Sequence, residues 1–128
     1  MGFQLISNSI IQLEGTVMFQ IDNNWFNPNS VIEKVEDVVE SIYITQEVTG
    51  KLHALSSEDE EVLHKLADYF GRYPKYSGFP NNSIDENDIE MFVELRKNLR
   101  AIGWGMNLNY SSDWNELTEK ANNLINSR

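Results

Sequence analysis

The chain has 128 residues, with twenty Asp and Glu against ten Lys and Arg, a formal net charge of −10, and no Cys. That length fits a single domain over 1–128, with core enough to fold without metal or disulfide staples, and the missing Cys excludes thiolate metal sites and cysteine nucleophiles. So large an acid excess argues against direct nucleic-acid binding, because neutralising phosphates needs a basic field.

Residues 3–21 alternate. Phe3, Leu5, Ile11, Leu13, Val17, Phe19 and Ile21 are apolar at odd positions, and a period of two predicts strands with one buried face. The expected strands are 3–13 and 16–22, turning at Glu14-Gly15. A loop around Asn27-Pro28 follows. Ser30 and Glu33 then have the spacing of a capping box. Val31, Ile32, Val35, Val38, Val39 and Ile42 fall on one side of a helical wheel, which predicts a helix over 30–41. Ile44 departs from that stripe, so 42–48 and 51–55 read as a second hairpin turning at Thr49-Gly50.

Ser57 and Glu60 form another box, opening a helix over 57–71 with Val62, Leu63, Leu66, Ala67 and Phe70 inward. Residues 72–84 form a loop. Asp85 and Asp88 open a helix over 85–102, with Phe92, Leu95, Leu99 and Ile102 inward. Trp104, Met106, Leu108 and Tyr110 alternate as a strand over 104–110, and a last helix covers 112–126. The expected fold is α+β, with about four helices on a small antiparallel or mixed sheet of about four or five strands.

The first ten residues, MGFQLISNSI, lack a basic n-region, and no apolar run approaches the ~18–20 residues of a membrane span. The expectation is a cytoplasmic protein, of a bacterial cell or a phage-infected host, with no membrane contact. No phosphate-binding loop, dinucleotide fingerprint or nucleophile elbow is present, so no cofactor and no enzymatic activity are expected. His64 with Glu60 and Asp68 is a weak candidate for a divalent metal, and a solvated helix face with i,i+4 pairs is the preferred reading, so no metal is expected.

One segment departs from the acidity. Residues 69–79, YFGRYPKYSGF, hold five aromatics with Arg72 and Lys75 and no acid. Arg72, Tyr73, Lys75, Tyr76 and Phe79, joined by Trp25 and Phe26 of the first loop, are the candidate partner- or ligand-binding residues. Three functions compete. The first is a small acidic protein that binds and inhibits a basic macromolecule, as toxin-immunity proteins and phage anti-defence inhibitors do. The second is a binder of a nucleotide or other anion on the aromatic-basic loop. The third is a carboxylate-based hydrolase.

Overall fold

The computed structural model describes residues 3–53, 55–73, 85–103 and 114–126. Those residues form five helices: α1 (Phe3–Asp22), α2 (Asn29–Leu52), α3 (Ser57–Phe70), α4 (Glu86–Ala101) and α5 (Trp114–Asn126). The expected α+β fold is overturned: among the described residues the architecture is all-α, with no strand. The strand expected over 104–110 lies outside the described residues.

The first expected hairpin is a single helix. Ile6, Ile10, Leu13 and Val17 recur at the four-three-four spacing of one helix face, and none has exposed surface. Leu5 and Phe19, which the alternation assigns to the buried side, are largely exposed. Apolar residues are dense enough here to satisfy both periods, and burial of the helical face decides between them. It outweighs the few tenths of a kcal/mol that each β-branched residue loses in a helix. Glu14-Gly15 is therefore mid-helix and not a turn.

The second expected hairpin is likewise the distal half of α2. Thr45 and Thr49 are buried on the same face as Val38 and Ile42. Their hydroxyls donate to the carbonyls one turn back, Thr45 Oγ1 to Ser41 O at 2.7 Å and Thr49 Oγ1 to Thr45 O at 2.8 Å. The helix thus satisfies its own buried hydroxyls and runs on through Gly50. It ends at His53, which takes a left-handed φ of 50° and directs its N–H to the carbonyls of Gly50 and Thr49.

The helix starts differ in detail from the sequence reading. Asn29 opens α2 after Pro28, and the Ser30 hydroxyl donates to Asn27 O instead of capping. Ser56, not Ser57, caps α3, accepting from the Asp59 N–H at 3.1 Å. Asp85 and Asp88 form the reciprocal box expected of α4.

Helix α1 is the central element. It packs against α2, α4 and α5, while α3 packs on α2 and α5. The inward stripes of α3, α4 and α5 join this core through Leu63, Leu66, Phe70, Phe92, Leu95, Leu99, Leu117 and Leu124. One charged group sits inside it. Glu14 is fully buried in α1, and its Oε1 lies 3.3 Å from both Arg96 Nε and Arg100 Nη1 of α4.

Candidate functional site

The α1–α2 connection is strained in a specific way. Asn24 and Trp25 both have positive φ, 60° and 56°. Asn tolerates that region, but for a bulky residue such as Trp it costs on the order of 1–2 kcal/mol. Buried Gln20 offsets the strain: its backbone carbonyl accepts from Trp25 N at 2.7 Å, and its Oε1 accepts from Asn27 N at 2.9 Å. The result is that adjacent aromatics separate. Trp25 turns inward and stacks on Phe92 at 6.1 Å, whereas Phe26 is 66% exposed.

Tyr73 also belongs to the inner cluster. Its ring stacks on Phe92 at 5.4 Å, and its hydroxyl donates to that of Tyr69 at 3.4 Å. Burial pushes the Tyr73 phenol well above its ordinary range, and the bond to Tyr69 adds to the effect. Two of the residues expected to meet a partner, Trp25 and Tyr73, thus share one packing partner in the core. Arg72 is exposed beside them. Lys75, Tyr76 and Phe79 lie outside the described residues.

Arg72, Tyr69 and Tyr73 form one wall of a groove of about 680 Å³, and α4 from Asn87 to Asn98 forms the other. Glu90 and Glu94 point into it from α4. The surroundings of Arg72 are therefore not the acid-free setting that the sequence segment suggests. His64 is on the solvent side of α3, 3.6 Å from Asp68. Glu60 is exposed on the same helix. Among the described residues no group of three or more His, Asp and Glu is placed to hold a metal ion.

A further set of exposed apolar side chains is on the α1–α2 hairpin. Phe26 meets Phe19 edge-on at 5.9 Å beside a shallow hollow of about 460 Å³. Farther along α2, Ile44, Val48 and Leu52 follow one another at intervals of four residues, all exposed. Lys34 Nζ donates to Gln12 Oε1 across the seam at 3.3 Å. Leu52 is about five whole turns beyond Lys34, and Leu5 and Phe19 are each about two turns from Gln12. Leu5, Phe19 and Leu52 therefore lie toward this seam, whereas Ile44, ten residues from Lys34, is turned about 80° from it around α2.

Comparison with protein-family models, curated proteins and solved structures returns no match. Function has to be read from this surface chemistry alone.

Acid accompanies the exposed apolar side chains of α2. Helix α2 carries five carboxylates against two lysines. Asp37 and Glu47 are held by Lys34 and Lys51 at 3.9 Å and 3.3 Å. Glu33 and Glu40 are exposed and make no ion pair among the described residues. Of the exposed apolar residues on the hairpin, the sequence reading found only Phe26. A signal for the others was present in Ile44, an apolar residue off the buried stripe of an otherwise amphipathic segment.

Proposed function

We propose that this chain is a small acidic binding protein that docks a basic protein on its α1–α2 hairpin and inhibits it by occlusion. The observation that carries this reading is the exposed apolar side chains of the α1–α2 hairpin, the Phe19–Phe26 pair at the connection and Ile44, Val48 and Leu52 along distal α2, among exposed carboxylates of α2. Contiguous exposed apolar surface rimmed by polar groups is characteristic of protein-binding sites, and aromatic side chains are frequent anchors there. The acid sets the sign of the partner. A second copy of a chain with net charge −10 would bring like charges together, whereas a basic protein is steered in and held at the rim. This is the manner of toxin-immunity proteins and of phage-encoded inhibitors.

The test compares the wild-type chain with Phe19→Ser/Phe26→Ser and Ile44→Ser/Val48→Ser pairs. Each is immobilised and exposed to lysate of the source cell, and retained proteins are identified by mass spectrometry and purified for affinity measurement. The expected result is a basic protein that binds the wild type, weakens at least about tenfold with either pair, and is released between about 50 mM and 500 mM salt. Retention unaffected by both pairs, or no basic protein retained, overturns the proposal. The substituted side chains are exposed, so circular dichroism should show both variants folded.

A further inference from the structure

The groove between the end of α3 and α4 has an unusual charge arrangement. Arg72 projects from one wall, and Glu90 and Glu94, one turn apart, project from the other. None of the three makes an ion pair among the described residues. Opposite charges thus line one groove without pairing with each other. Both signs are nonetheless felt at one place. The positive charge of Arg72 and the negative charge of Glu94 act in opposite directions on the Tyr73 phenol.

The remaining lining suits a small molecule. Exposed Met91 adds apolar surface on the α4 side and Asn98 offers an amide, over a floor of buried Tyr69, Tyr73 and Leu95. At about 680 Å³ the groove is within the range of small-ligand sites. A simple anion would gain one guanidinium and face two carboxylates. A simple cation would gain the carboxylates and face the guanidinium. A molecule carrying both charges satisfies both walls.

We propose that this groove binds a small zwitterion with an apolar body, its carboxylate on Arg72, its ammonium on Glu94 and Glu90, and its body against Met91. A planar guanidinium fork suits a carboxylate bidentately. The chemistry is that of a free apolar α-amino acid or of a short unblocked peptide. The site is separate from the hairpin face and does not depend on a protein partner.

Two-dimensional amide NMR titration of the full chain tests the proposal and separates the sources. The probes are L-leucine and trileucine, with N-acetyl-leucine lacking the ammonium, leucinamide lacking the carboxylate, and inorganic phosphate as the simple anion. One or both zwitterions should shift amides of the groove, and the stronger of the two tells amino acid from peptide. Each blocked form should bind at least about tenfold more weakly, as should the zwitterion to Arg72→Gln and to Glu94→Gln. Both positions are exposed, so these variants should stay folded. Equal binding of blocked and unblocked probes, unchanged affinity in both variants, phosphate binding in place of zwitterion binding, or no shift with either zwitterion to about 10 mM overturns it.

Discussion

Arg96 holds its Nε 3.3 Å from the Oε1 of Glu14, a carboxylate with no exposed side-chain surface. Arg100 meets the same oxygen from one turn farther along α4. The pair links α4 to α1, but at a cost, because Glu14 has given up water and its Oε2 has no hydrogen-bond partner among the described residues. Breaking such a contact from the arginine side strands a buried charge, which typically costs about 3–5 kcal/mol. Replacing all its members with apolar residues of like volume is often neutral. Urea denaturation should therefore show Arg96→Met/Arg100→Met losing about 3 kcal/mol or more, and addition of Glu14→Met recovering most of the loss. A triple variant no more stable than the double would show that the carboxylate is not the source of the cost.

Tyr73 makes stability fall on the alkaline side. Burial, and secondarily the hydrogen bond to Tyr69, raise its ionisation above the usual 10.0 in the folded chain. Above about pH 10 the unfolded chain loses this phenolic proton while the folded chain keeps it, so the free energy of unfolding falls with rising pH. The contribution is complete below that value and declines as pH climbs through it toward the folded value. Stability measured by urea denaturation between about pH 8 and pH 11 should fall less steeply in Tyr73→Phe than in the wild type. The variant keeps the ring that stacks on Phe92, so a parallel shift of the whole curve would not account for a changed slope.

The sequence exposes helix faces well where one period dominates. Leu63, Leu66, Ala67 and Phe70 in α3, and Phe92, Leu95 and Leu99 in α4, are inward as their spacing predicts. It misleads where apolar residues crowd together, as in α1, because a dense run fits period two and period 3.6 alike. It misleads again in distal α2. Thr45 and Thr49 read as strand formers, and only the tertiary fold shows that their hydroxyls close back onto the helix. The candidate site is legible in part. Aromatic residues near Arg72 mark a groove, but the acids opposite them come from α4, distant in sequence. Trp25 and Phe26 look equivalent in sequence, and it takes two left-handed residues to send one inward and the other out.

The start of α3 offers a register test. Ser56 and Ser57 are adjacent and chemically alike, yet only Ser56 has extended backbone and accepts from the Asp59 N–H. Removing a serine N-cap costs typically about 1 kcal/mol. Ser56→Ala should lower the unfolding free energy by about that amount, whereas Ser57→Ala, at an exposed first-turn position, should change it by less than about 0.5 kcal/mol. The reverse order would place the cap one residue later, where the simple motif Ser57–Glu60 puts it.

Gly50 separates the two readings of residues 42–55 by the sign of a single measurement. In a hairpin turn the glycine would take positive φ, and a Cβ would strain it, so Gly50→Ala would destabilise. In α2 it is helical, and a Cβ built there meets nothing within 4 Å. Alanine then loses less backbone entropy on folding and gains helix propensity, together up to about 1 kcal/mol. Gly50→Ala should therefore raise the urea midpoint with an unchanged denaturant slope and slightly deepen the helical circular dichroism signal. The neighbouring cap gives a second check. His53 holds a left-handed φ of 50° at the end of the same helix, a conformation that costs a residue with a Cβ on the order of 1 kcal/mol and costs glycine little. His53→Gly should stabilise for that reason, and the double variant should depart from simple additivity because the His53 N–H bonds to the Gly50 carbonyl. Loss of stability in Gly50→Ala would return this segment to the turn.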